Sequence, residues 1–228
     1  MNQPVILHIE TSTDVCSVAL SSGTGCLASK ENSQGRNHAS LLSLFVEELL
    51  CANKIAANQL DAVAVSSGPG SYTGLRIGLS TAKGICYGAN IPLIAVSTLQ
   101  SMSTGFVLNN EVPDAALLCP MIDARRMEVY TALYEKEGKE LEKISAKIIS
   151  EQSFENWLNV RKIFFFGNGA AKCREIINHP NAIFIENFYH SARYMMQSAL
   201  QNYNDKRFED TAYFEPFYLK DFLAGKKK

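Results

Sequence analysis

The 228 residues predict an α/β protein built as two related lobes. Three observations support this class. Short apolar runs of strand length alternate with segments of helical period along most of the chain. The pattern strand, acidic turn, strand occurs at residues 5–20 and again at residues 117–134. Hydrophobic residues make up 46% and charged residues 20%, which supports a packed core and argues against a disordered chain.

Residues 5–9 are an apolar run, followed by the polar turn Glu10, Thr11, Ser12, Thr13, Asp14. Residues 15–20 alternate loosely, residues 21–25 read as a tight turn, and residues 26–29 resume a strand, completing a meander. The loop at 32–37 breaks the pattern. From His38 to residue 52 the period becomes helical, with Leu41, Leu42, Phe45, Val46, Leu49 and Leu50 in one stripe. Residues 60–66 read as a buried strand and residues 67–74 as a glycine-rich loop. A long helix follows at 75–88, terminated near Asn90 and Pro92. Residues 93–97 are another buried strand and 98–108 a further helix.

The polar stretch at 109–114 divides the lobes, giving an N-terminal lobe of residues 1–108 and a smaller C-terminal lobe with a tail, residues 109–228. Residues 117–122 and 127–134 are strands flanking the polar turn Asp123, Ala124, Arg125, Arg126. A charged turn at 135–143 leads to a further strand. Residues 150–158 predict a helix, and 163–166 an apolar strand that runs into Gly167, Asn168 and Gly169. The three consecutive phenylalanines at 164–166 read as core strand rather than a base-stacking platform. Helix, strand and helix complete the chain, the last helix at about residues 191–202.

The loop before the helix at 75–88 could cradle an anion on backbone N–H groups. It is not a P-loop, because Leu75 and Arg76 stand where that motif needs Lys and Ser or Thr. Within the helix, Gly74, Gly78, Thr81, Ala82 and Gly88 gather on a broad face with Ile77 and Ile85, leaving Arg76, Ser80, Lys83 and Tyr87 as a narrow polar strip. Glycines in a helix cost up to about 1 kcal/mol each, so close approach of another backbone should offset them. The helix at 38–52 shows a similar excess of apolar circumference, with Leu44 and Cys51 beyond the inner stripe. Either the second lobe covers this surface or another protein's helices do. We read it as a partner interface involving His38, Leu41, Leu44, Phe45, Gly74, Arg76, Ile77, Gly78, Thr81, Ala82 and Ile85.

Net charge is −1, from 22 basic and 23 acidic residues, so no global basic field holds nucleic acid. The tail Gly225, Lys226, Lys227, Lys228 reads as a solvated end that could touch RNA phosphates within an assembly. No apolar run reaches the roughly 18 residues of a membrane span, and the first residues lack a signal peptide's basic region. The six cysteines form no C-x-x-C pair and read as reduced, buried thiols of a cytoplasmic protein. The four histidines are scattered, so no metal cluster is visible.

The strings ILHIETST at 6–13, SSGPGSYTGLRIGLSTAKG at 66–84, PMIDARRMEVY at 120–130 and PFYLK at 216–220 closely resemble the TsaB (YeaZ) family. The resemblance implies a partner subunit of bacterial tRNA threonylcarbamoyladenosine synthesis. It implies the actin-like, sugar-kinase and Hsp70-type ATPase fold, with a repeated ribonuclease H-like core. In that fold acidic turns flank nucleotide phosphates and a glycine loop holds adenosine. The matching positions here are Glu10, Thr11, Ser12 and Asp123, with Gly167, Asn168 and Gly169.

In the related catalytic family, TsaD, two histidines four residues apart on a helix hold a metal. Here His38 has Leu42 in the second position, and one imidazole cannot make that site. The resemblance therefore implies a non-catalytic dimerisation or scaffold subunit that binds TsaD, with the ATPase TsaE. It would support transfer of threonylcarbamoyl to N6 of adenosine 37 in ANN-decoding tRNAs and contact tRNA only through the complex. Alone it would form a homodimer. It would need no metal or cofactor, with room for weak ATP or ADP binding. The alternatives on the same fold are an ATP-dependent phosphotransferase and a metallopeptidase.

Overall fold

A computed structural model describes residues 3–34 and 37–220. The lysine tail weighed above for RNA contact lies outside the described residues. Val5–Glu10 (β1), Cys16–Ser22 (β2) and Gly25–Asn32 (β3) form the expected antiparallel meander. Ala62–Gly68 (β4) and Leu93–Ser97 (β5) join in parallel, giving a five-stranded sheet in the order β3-β2-β1-β4-β5. His38–Ala52 (α1) and Tyr72–Ala89 (α2) are its crossover helices. Ser71 caps α2, its hydroxyl accepting from the Gly74 N–H at 3.2 Å.

The second sheet repeats the plan. Leu117–Asp123 (β6), Glu128–Glu135 (β7) and Glu140–Ile148 (β8) are antiparallel neighbours. Ile163–Phe166 (β9) and Ala182–Phe184 (β10) join in parallel, in the order β10-β9-β6-β7-β8. Read from β8, this is the order of the first sheet. The echo in the sequence is thus a repeat of topology.

The first sheet is covered on both faces, as parallel strands require. Leu7, Ile9, Val63 and Val65 pack under α1 and α2 with Leu42, Val46, Leu49 and Leu79. Their neighbours one position away, Ile6, Ala62, Ala64, Ile94 and Val96, pack on the opposite face with Met195 and Ala199. Those last two lie in the 3₁₀ turn Ala192–Met195 and the helix Met196–Asn204. The sequence placed this segment with the C-terminal lobe, but the chain beyond residue 190 returns to the first sheet.

Helix Thr98–Asn109 (α3) sits between the lobes. Its Leu99, Met102 and Phe106 pack with Leu118, Ile122 and Phe166 of the second sheet, and the Phe106 and Phe166 rings stack at 4.3 Å. Phe165 and Phe166 are fully buried, as a core strand requires. The final segment runs back along the outside as a strap. Glu209 bridges Leu93, the Phe217 N–H donates to Ser67 O at 2.7 Å, and Lys220 pairs with Glu128 on β7.

Two predicted helices shrink. The expected helix at 150–158 is a turn followed by Glu155–Leu158 (α4). Phe154 there adopts left-handed backbone, and Ser153 Oγ accepts from the Ser150 N–H at 2.9 Å, so local turns displace the first helical turn. The helix expected after Gly169 is only the 3₁₀ turn Ala171–Cys173. The helix Met196–Asn204 is α5. Elsewhere, the β6–β7 hairpin turns on Arg125 and Arg126 at φ +69° and +51°. Left-handed backbone costs a non-glycine residue on the order of 1–3 kcal/mol.

Candidate functional site

The turn at residues 10–13 ends β1 in the middle of the first sheet, where a crevice opens in such folds. Its side chains are committed inward. Glu10 is fully buried. One carboxylate oxygen accepts from the Ser12 N–H and hydroxyl, both at 2.5 Å, and the other lies 2.8 Å from His190 Nε2. Burial alone pushes the Glu10 carboxyl up, but His190 and Ser12 outweigh it and hold it below the usual carboxylate range. Ser101 Oγ lies 3.1 Å from the same His190 nitrogen. The Thr11 hydroxyl donates to Gly74 O at 2.8 Å, and Ser12 O accepts from the Ser71 N–H at 2.7 Å.

Glu10, Thr11 and Ser12, which the resemblance matches to a turn flanking nucleotide phosphates, are committed to the fold by these contacts. All three are fully buried, and their polar atoms hold the N-terminus of α2 and the returning segment around His190. Asp123 is engaged locally as well. It pairs with Lys172, and its carboxylate accepts from the Arg125 N–H at 2.9 Å, capping its own hairpin.

A cleft of about 460 Å³ does lie between the lobes. Thr13 and Asp14 line one side, and Gly167, Asn168, Ala171 and Arg174 the other. Met102 and residues 184–190 complete it. Gly167 is required there. It has φ +100°, and a Cβ would lie 2.4 Å from Met121 O. Gly169 stands behind the cleft wall, its N–H donating to Met121 O at 3.0 Å. Arg174 is held against Glu186 at 2.6 Å. The sequence reading missed His190, Arg174 and residues 184–189. They carry no local motif; Arg174 meets Glu186 and Phe184 O across the chain, and His190 reaches Glu10 from 180 residues away.

The presumed partner face divides in two. Gly74, Gly78 and Ala82 are buried, but against the chain's own turn and sheet: a Cβ at Gly74 would lie 2.0 Å from Thr11 O, and one at Gly78 2.2 Å from Thr11 Oγ1. His38 is also buried, its Nε2 donating to Thr13 O at 2.9 Å. These four residues are not available to a partner. The others remain at the surface. Leu41, Phe45, Ile77, Thr81 and Ile85 are half-buried, and Leu44 and Arg76 are exposed, Leu44 at 45%. The Arg76 guanidinium stacks over the Tyr72 ring at 4.7 Å. α1 packs on β2, β3 and α2, and α2 on β1, β4 and β5, all within their own lobe.

Among the described residues no group of three or more His, Cys, Asp or Glu side chains could hold a metal ion, and no helix is long and apolar enough to cross a membrane. All six cysteines are unpaired; Cys26 and Cys51 are exposed rather than buried. Burial pushes the Cys16 and Cys86 thiols up to about 11 and Cys119 to about 12, which leaves them protonated.

A family model described as TsaD, tRNA N6-adenosine threonylcarbamoyltransferase, matches residues 25–226. The tRNA threonylcarbamoyladenosine biosynthesis protein TsaB of Haemophilus influenzae is 30% identical over 236 residues, covering 100% of this chain and 98% of that protein. The TsaB of Escherichia coli is 29% identical over 97% of each chain. YeaZ from Pseudomonas aeruginosa superposes with a TM-score of 0.81 at 24% identity, over 95% of this chain and 100% of that one. The ethanolamine utilization protein EutJ of Carboxydothermus hydrogenoformans shares the architecture at a TM-score of 0.52 and 10% identity, over 86% of this chain and 91% of that one. The repeated sheets are those of the two-lobed actin-like and sugar-kinase type of fold, and the chain belongs to the TsaB family, in tRNA threonylcarbamoyladenosine biosynthesis.

Proposed function

We propose that this chain is a non-catalytic scaffold subunit. It binds a TsaD-type catalytic subunit, joined by a TsaE-type ATPase, and supports transfer of threonylcarbamoyl to N6 of adenosine 37 in ANN-decoding tRNAs. The observation that carries the reading is the outward ridge of α1 and α2, where Leu41, Leu44, Phe45, Ile77 and Ile85 keep apolar surface in water above a fully formed core. The same ridge on a second copy would pair about a two-fold axis, so the chain alone is a homodimer. tRNA is met through the complex, in the cytoplasm.

The cleft supports this division of labour. Behind its wall the buried Glu10 carboxylate is already held by His190 and Ser12, so any ATP or ADP taken up in the cleft would bind weakly, and none is required. The test is reconstitution: tRNA modification by the transferase subunit with and without this chain, alongside gel filtration of the mixture. Stimulation together with co-elution supports the scaffold role. Equal modification without the chain refutes it.

A further inference from the structure

We infer that the β6–β7 hairpin tip, Arg125 and Arg126, is a direct contact for the phosphate backbone of RNA. Both residues hold left-handed backbone at φ +69° and +51°, a conformation in which Asn and Gly sit with least strain. Arginine at both positions is the costlier choice for folding, and retained strain of this kind points to side chains that serve at the surface. Both residues are exposed, and neither guanidinium takes a hydrogen bond or ion pair among the described residues.

Charge balance leaves the tip positive. The nearest acidic side chains are each neutralised: Asp123 pairs with Lys172, and Glu128 with Lys220. Lys172 also donates to Arg126 O and Glu128 O, both at 2.7 Å, so the turn is propped from below. The Asp123 N–H donates to Asn168 Oδ1 at 3.0 Å, which fixes the hairpin beside the loop that lines the cleft. Two unpaired guanidinium forks on a rigid turn suit phosphate oxygens, which they bind bidentately. RNA is the polyanion to expect in a chain whose relatives are named for tRNA biosynthesis.

The inference rests on the scaffold reading, because assembly with the transferase subunit brings tRNA within reach of a single hairpin. The experiment titrates tRNA onto that assembled complex across about 50–200 mM salt. It compares the native chain, Arg125→Asn/Arg126→Gly and Arg125→Lys/Arg126→Lys. The Asn/Gly variant should melt a few degrees higher, since its turn is relaxed. It should still co-elute with the transferase subunit. Its tRNA affinity should fall about tenfold, and the slope of log K against log salt should shrink by about 1.4–1.8, the value for two lost phosphate contacts. The Lys/Lys variant should keep the slope. Unchanged affinity and slope in the Asn/Gly variant overturn the inference. So does loss of co-elution in that variant alone, which would assign the tip to protein contact. If the native chain forms no complex, the scaffold reading fails and this one falls with it.

Discussion

Gly78→Ala should destabilise the fold, although alanine is the better helix former by about 1 kcal/mol. An added Cβ would lie 2.2 Å from Thr11 Oγ1 and 3.5 Å from Ile9 Cγ2. Thr11 is fully buried and its hydroxyl is bonded to Gly74 O at 2.8 Å, so it has no solvent into which to swing. Either α2 lifts from the turn or Thr11 rotates and gives up its bond. Overpacking that lifts the helix costs about 1–3 kcal/mol, and a buried hydroxyl left without its partner costs about the same. Set against the helix-propensity gain, either response leaves a net loss of up to about 2 kcal/mol. Gly84, in the same helix, is exposed and has nothing within 4 Å of a Cβ, so Gly84→Ala should instead stabilise by about 0.5–1 kcal/mol. Urea unfolding at constant m-value reads both. In a Thr11→Ala background, which removes the hydroxyl, the penalty at Gly78 should shrink. If Gly78→Ala moved the midpoint upward as Gly84→Ala does, the close approach of α2 to the turn would be wrong. This replaces the reading from sequence that places Gly78 in a partner interface.

Glu10→Gln removes a buried carboxylate that accepts from Ser12 and contacts His190, and should cost about 1–3 kcal/mol in the same urea assay. The Glu10 carboxyl is held below its ordinary value of 4.5, so its stabilisation is full above that pH and is lost as pH falls through the lower folded value. The native chain should therefore weaken below about pH 4.5, more steeply than Glu10→Gln; parallel curves would contradict the pairing. Gly167→Ala should lower the melting temperature, with backbone strain of about 1–3 kcal/mol at φ +100° and a clash at Met121 O; an unchanged melt would mean that the cleft loop has room to shift. Leu44→Glu lies on the exposed ridge and should leave stability within about 0.5 kcal/mol. It should weaken complex formation with the transferase subunit by about 2 kcal/mol, roughly thirtyfold, in gel filtration or calorimetry; unaltered binding would place the interface elsewhere.

The fold was legible wherever local period and burial coincide. The strands β5 and β9 and the helix α1 stand where the pattern put them, because their apolar residues satisfy one sheet face or one helical stripe. The helices expected at 150–158 and after Gly169 failed where few apolar residues fall in register and side chains of the Ser150–Ser153 type close turns instead. The site was less legible. Small residues on α2 correctly announced a close approach, but a sequence cannot say whose backbone approaches, and here it is the chain's own turn at Thr11. The acidic turn likewise announced a special Glu10. Its partner, His190, lies 180 residues away in sequence, and nothing near His190 in the chain marks it.

The turn at residues 10–13 is where the cleft and the outer ridge meet mechanically. Thr13 O accepts from His38 at the start of α1, Ser12 O and the Thr11 hydroxyl hold the start of α2, and Glu10 holds the segment returning from the second sheet. Both ridge helices are therefore anchored at their N-termini to one buried, hydrogen-bonded joint. Such a joint is what the scaffold proposal requires of a docking surface. Most of its polar atoms are already engaged within the chain, the buried His190 Nδ1 being an exception, and they hold α1 and α2 in a fixed orientation. Under the scaffold reading, association would avoid the cost of ordering those helices, and more of the apolar contact made by Leu44 and its neighbours would appear as affinity.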